Sequence, residues 1–272
     1  MKKSILYLAL AGISMTAFYG CEDLENLCGI GEADLQTGDV FVKSLNHMID
    51  VYKRVDEANK NPVVRAGGKE VIDGATCEIV GDSLFIDFGA GDVACADGKL
   101  RKGSIRARLL NDYILPTGEA NAVLSNYHVD GTMISGSFDA KNDGPPTAPK
   151  FDITTTKFSV GEESAVDYTL DASWSQGFTT VNPDDDIFDV AGNVMGEDKT
   201  NVKNFTALMI EPLHYVTSCP DYLEKGIVEV ELTGDSTVVF LIDFIESDGC
   251  NNLFQITADC DGNPLSFTYP MN

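Results

Sequence analysis

Over residues 38–60, "GDVFVKSLNHMIDVYKRVDEANK", apolar side chains recur at helical spacing: Val40, Phe41, Leu45, Met48, Ile49, Tyr52 and Val55. Asp39 is placed to cap the start of this helix, and Pro62 bars its continuation. From about residue 75 the apolar period drops to two. "SLFIDF", "GSIRARLL", "AVLSNYHV", "TMISGSFDA", "KFDITTTKF" and "AVDYTLDASWS" alternate or are rich in β-formers, as are "DIFDVAGNV", "NFTALMIEPLHYV", "GIVEVELT", "TVVFLIDF", "LFQITA" and "LSFTYP". Asp130-Gly131 separates two of these runs and carries the signature of a two-residue hairpin turn. "KNDGPPTAPK" and "GFTTVNPDDD" are longer loops.

Eleven or twelve strands in succession, with no helical pattern between them, exclude a parallel α/β sheet. They predict a mainly β chain: an antiparallel meander, curled or barrel-like to limit its edges, with one N-terminal amphipathic helix laid on it. The helix occupies residues 38–60 and the β domain residues 61–272. Residues 141–150 are either a boundary between two halves, 61–150 and 151–272, or one long hairpin loop.

The first residues carry an address. Lys2 and Lys3 precede the apolar run "ILYLALAGISMTAF", which is too short and too soon followed by acid to be a spanning helix. Residues 1–20 read as a signal peptide. Cys21 directly after Gly20 resembles the lipobox of bacterial lipoproteins, although Phe18 and Tyr19 depart from its usual residues. That resemblance implies cleavage before Cys21 and lipid (palmitate-type acyl chains) on it. Residues 21–37 would then be an acidic tether, and Glu22, Asp23 and Glu25 resemble the export tag of surface lipoproteins of Bacteroidota. The implied location is the cell outer membrane, with exposure at the cell surface as the finer expectation.

Charge narrows the partners. The chain has 19 basic and 43 acidic residues, and loss of Lys2 and Lys3 with the signal takes the formal charge from −24 to −26. So negative a surface repels phosphate backbones, which excludes nucleic acid as a partner. Membrane contact is expected through the lipid, and the partner at the surface is an unknown protein or glycan.

Seven cysteines suit an oxidising compartment. With Cys21 lipidated, Cys28, Cys77, Cys95, Cys219, Cys250 and Cys260 remain, and six cysteines allow about fifteen pairings. No C-x-x-C occurs, which argues against zinc and thioredoxin-like chemistry. The nearest pairs in sequence are Cys77 with Cys95 and Cys219 with Cys250. Residues 81–88 and 234–244 echo each other: each has Gly-Asp-Ser, then a strand ending Ile-Asp-Phe, with a cysteine upstream and another downstream. Leu84, Ile86 and Phe88 share one strand face, as do Phe240, Ile242 and Phe244, while Asp87 and Asp243 point away. The echo suggests two related hairpins, each cross-linked by its own disulfide.

Cys77, "FIDFGAGDVAC" and "DGKLRKGSI", followed by "ASWSQ", "NFTALMIEPLHYVTSC", "KGIVEVEL" and "IDFIESDGCNNLFQITA", resemble a family of uncharacterised Bacteroidota outer-membrane lipoproteins. The likeness spans roughly residues 71–260; Asp243-Phe244-Ile245 stands where the family repeats "DFG". It implies address and fold rather than an activity.

"GDSL" at Gly81–Leu84 also heads a family of esterases, which would make Ser83 a nucleophile. Those enzymes need an α/β domain and a late Asp-x-x-His, whereas this chain has only His47, His128 and His214 and offers Glu211-Pro212-Leu213-His214. A turn is the better reading of Gly81-Asp82-Ser83. Asp82-Ser83-Leu84 and Asp235-Ser236-Thr237 also resemble the O-glycosylation pattern of Bacteroidota secreted proteins, with Ser83 and Ser236 as acceptors at exposed turns. Asp184-Asp185-Asp186 and Asp259-x-Asp261-x-Asn263 lack the remaining ligands of a calcium loop, so no metal and no cofactor are assigned. The expected role is non-enzymatic, in envelope structure or surface interaction. A lipid or hydrophobic-ligand carrier, with a cavity between helix and sheet, is the alternative, and a GDSL-like hydrolase the remote one.

Overall fold

A computed structural model describes residues 29–113, 115–219, 223–234, 237–245, 250, 252–260 and 262–271. The helix is longer than its apolar pattern. It runs from Glu32 to Lys60 (α1), so its start lies seven residues before Asp39, within the segment expected to be tether. Asp39 is therefore not the cap. Asp34 takes over that role: its carboxylate accepts from Gly31 N at 2.8 Å, satisfying one of the donors a helix start leaves free. The early turns lack a clear stripe because Asp34, Thr37 and Gly38 are buried there beside Leu35. Pro62 ends α1 as expected, and opens a one-turn helix, α2, over Pro62–Arg65.

Fourteen strands follow in one antiparallel sheet, each bonded to the next in chain order. They are β1 (Lys69–Ile72), β2 (Ala75–Val80), β3 (Ser83–Ala94), β4 (Leu100–Leu110), β5 (Glu119–Val129), β6 (Thr132–Asn142) and β7 (Lys150–Val160). The rest are β8 (Ser164–Gln176), β9 (Ile187–Asp198), β10 (Lys203–Val216), β11 (Leu223–Thr233), β12 (Val238–Phe244), β13 (Leu253–Cys260) and β14 (Asn263–Pro270). Among the described residues no pairing joins β14 to β1, so the meander is curled but open. Asp130 and Gly131 form the β5–β6 turn, both at positive φ, with Val129 opposite Thr132. Residues 143–149 are a hairpin loop, since Asn142 of β6 pairs with Phe151 of β7. The short β1–β2 hairpin escaped the sequence reading; β1 is exposed almost throughout and has no alternating apolar face.

The sheet wraps α1. Phe41 stacks edge-on against Phe205 of β10, and Tyr52 meets Phe138 of β6 and Phe188 of β9. Tyr168 Oη of β8 donates to Ser44 Oγ at 2.9 Å, and Tyr127 Oη of β5 donates to Asp50 at 3.0 Å. At Gly38 the helix backbone comes so close to β12 and β13 that a Cβ would lie 2.8 Å from Ile256 Cδ1 and 3.1 Å from Phe240. A helix surrounded in this way buries more than one stripe, which is why polar residues all along it are withdrawn from water. The expected inward residues Leu84, Ile86, Phe88, Phe240, Ile242 and Phe244 are all buried.

Candidate functional site

Ser83 opens β3 but is not a nucleophile at a cleft. Its Oγ donates to Asp82 Oδ1 at 3.2 Å and accepts from Arg106 Nη2 at 3.1 Å. The histidines are engaged elsewhere: His128 Nδ1 lies 2.8 Å from Asn126 O, His214 Nδ1 lies 2.8 Å from Asp189 Oδ1, and His47 sits on α1 near Asp50. Ser83 is also only 3 % exposed, against the expectation of an open turn. Arg106, which lies over Phe85, and Arg108, bonded to Asp82 at 2.7 Å, flank the serine from β4. Ser236, Cys21 and Cys28 lie outside the described residues.

One expected disulfide forms and one does not. Cys219 and Cys250 are joined, their Cα atoms 5.1 Å apart. Cys77 and Cys95 are both free thiols. Cys77 faces Ile86 in the β2–β3 ladder, while register shifts at Gly89 and Val93 carry Cys95 to the β1–β2 turn, beside Asp73. Each thiol instead reaches a carbonyl of its own strand, Cys77 to Ala75 O and Cys95 to Val93 O, both at 3.7 Å. Burial pushes the Cys77 thiol up to about 11, which makes it a poor nucleophile. Cys260 is disulfide-bonded as well.

Two polar networks fix α1 inside the sheet. In the first, Arg101 of β4, fully buried, donates to Asp50 Oδ1 at 2.6 Å and to both oxygens of Asp97, at 2.8 and 2.6 Å. Arg54 adds Asp73 at 2.6 Å and Glu57 at 2.9 Å. Burial works against a charged Asp50, yet Arg101 and Arg54 outweigh it and hold the carboxyl below its ordinary range. In the second, Lys60 pairs with Asp186 and Asp56, Tyr113 Oη donates to Asp56, and Trp174 Nε1 donates to Asp186 at 3.1 Å. Here burial dominates, and with each carboxyl beside the other it pushes Asp56 well up despite Lys60; Asp186 is raised as well.

The space between helix and sheet is nearly full. A cavity between them of about 40 Å³ is lined among others by Leu45, Met48, Tyr52, Phe188, Leu213 and Tyr215. Pockets that enclose small molecules measure roughly 300–1,000 Å³. A polar cleft of about 420 Å³ lies at the C-terminal end of α1, lined by Lys53, Arg54, Glu57, Asp73, Asp97 and Asp184 among others. Asp73, Cys95 and Asp97 bring three donor atoms within 4.8 Å of one another there. A cation at that point would confront the guanidinium groups of Arg54 and Arg101, which already neutralise both aspartates. Asp73 and Asp97 of the cleft are therefore already committed to arginines.

No family model matches the chain, and neither a curated protein nor a solved structure matches it. The residues that sequence reading missed are the buried charges: Asp50, Arg101, Asp56, Lys60 and Asp186. For Asp50, Asp56 and Lys60 the only trace was a helix carrying aspartates and basic residues, which reads equally well as a solvated face; Arg101 lies in a strand, and Asp186 reads only as a loop acid. Among the described residues, no helix is long and apolar enough to cross a membrane.

Proposed function

We propose that the chain is a non-enzymatic lipoprotein of the outer membrane, tethered through lipid on Cys21, whose helix-filled β shell is a rigid platform for contacts with a protein or glycan. The observation that carries this reading is the filled interior. The 40 Å³ left beside α1 is far too little for an acyl chain, and the helix that would have to leave is tied to the sheet by two buried ionic networks. The acidic surface, with 43 acidic against 19 basic residues, keeps such a platform soluble and turns away nucleic acid.

The carrier reading and the platform reading separate in one measurement. Protein extracted from its native membrane and analysed by mass spectrometry under non-denaturing conditions should carry no stoichiometric lipid beyond the covalent anchor. One equivalent of releasable lipid would make the chain a carrier. Metabolic labelling with a fatty-acid precursor should mark the wild type and not Cys21→Ser, and an unlabelled wild type removes the anchor from the proposal.

A further inference from the structure

The Cys219–Cys250 disulfide sits among groups that it does not need. Cys219 Sγ lies 3.4 Å from Glu224 Oε1, and one donor atom each of Cys219, Glu224 and Cys250 falls within 4.8 Å of the others. On the far side of Glu224, His214 Nε2 lies 3.9 Å from Glu224 Oε2. The other ring nitrogen of His214 is 2.8 Å from Asp189 Oδ1. A carboxylate only accepts, so in the neutral ring Nδ1 carries the proton and Nε2 keeps its lone pair, aimed towards Glu224. A carboxylate behind a histidine in this way is the arrangement that orients metal-binding imidazoles.

We infer that reduction of the Cys219–Cys250 disulfide opens a zinc site whose ligands are Cys219, Cys250, His214 and Glu224, with Asp189 orienting His214. The donors arrive from β10 (His214), the β10–β11 turn (Cys219), β11 (Glu224) and the segment after β12 (Cys250). Two thiolates, an imidazole and a carboxylate make a donor set suited to tetrahedral zinc, in which adjacent donors stand roughly 3–4 Å apart. The 3.4 and 3.9 Å separations run to the two different oxygens of Glu224, and His214 stands outside the 4.8 Å cluster of the other three, so the freed thiolates and the carboxylate must turn towards His214 to complete the site. While the disulfide is closed the two sulfurs are spent on each other, and zinc would find only His214 and Glu224.

The chemistry balances with a dithiol as the reductant. Two exchange steps break the protein S–S bond, leave two protein thiols and oxidise the dithiol to its own disulfide. Zinc then replaces the two thiol protons, which pass to solvent. Closing the disulfide reverses both steps and expels the ion, so metal affinity follows the redox state of the bond.

The test is zinc titration of the full chain, oxidised or reduced with a water-soluble phosphine. The phosphine takes one oxygen from water as two thiols form, and it leaves no competing thiol in solution. Reduced protein should take up one equivalent more zinc than oxidised protein, and cobalt in its place should give thiolate-to-metal charge-transfer absorption. His214→Ala and Glu224→Gln should each weaken uptake more than about tenfold, and Asp189→Asn, at a half-exposed residue, by about tenfold. Circular dichroism of each reduced protein checks that the fold persists. Equal uptake in both redox states, a reduced chain that unfolds, or undiminished affinity in both His214→Ala and Asp189→Asn overturns the inference.

Discussion

Arg101 of β4 and Asp50 of α1 meet at 2.6 Å inside the sheet, both essentially without solvent contact. The pair spans helix and sheet, and Tyr127 and Asp97 occupy the remaining hydrogen-bonding positions around it. Removing one member of such a pair leaves a bare buried charge. Arg101→Ala should therefore destabilise the fold by about 3–5 kcal/mol in denaturant titration. A loss below about 1 kcal/mol would mean that water replaces the guanidinium.

His47 lies on the same helix, and burial lowers its pKa from 6.5 to about 4. The unfolded chain binds a proton between those values and the folded chain does not, so stability is present above pH 6.5 and lost as pH falls towards 4. The loss amounts to up to about 3 kcal/mol. His47→Gln should flatten the stability profile between pH 6.5 and 4, whereas an unchanged slope would place that proton uptake elsewhere.

Asp56 has the opposite sign. Its folded pKa is raised, so its contribution is complete below the ordinary carboxyl range and is lost as pH rises through the raised value. Asp56→Asn keeps an acceptor for Tyr113 and removes the charge. Its stability relative to wild type should improve from pH 4 upward, read from thermal melts across pH. A relative stability that stays flat would show that Lys60 keeps Asp56 charged throughout.

Gly38 tests how closely the helix is held. Leu at this position would drive its branches into Ile256 and Phe240 and should cost about 1–3 kcal/mol, the usual range for overpacking. Ala extends only one carbon towards the flexible tip of Ile256 and gains helix propensity, so it should be far milder. Equal melting temperatures for the two variants would mean that the sheet yields here.

The strands were legible because their inward positions are apolar at a period of two, as Leu84, Ile86 and Phe88 illustrate. The β5–β6 turn was legible because Asp130-Gly131 carries its own backbone preference. What could not be read was long-range. The first turns of α1 are buried by contacts such as Thr37 Oγ1 to Asp198 at 2.8 Å, which no local pattern announces. Cys77 and Cys95 sit near each other in sequence like the other pair, and bulges in β3 decide that they do not bond. Cys219, Glu224 and Cys250 lack any motif spacing and converge, with His214 beyond Glu224, only because β10, β11 and β12 are neighbours.

Gly38 sits near the start of the described chain and Ile256 in its penultimate strand, yet they touch. A chain synthesised from its N-terminus exposes α1 before any of the walls that enclose it exist. Its apolar side chains must then wait for roughly two hundred further residues. Local hairpins can zip one after another in the meantime, but the centre of the protein closes last. Long loop closure of this kind slows folding. Truncation before β12 would release a sheet with nothing to hold its far side to the helix, so α1 stays uncovered until the last strands are made.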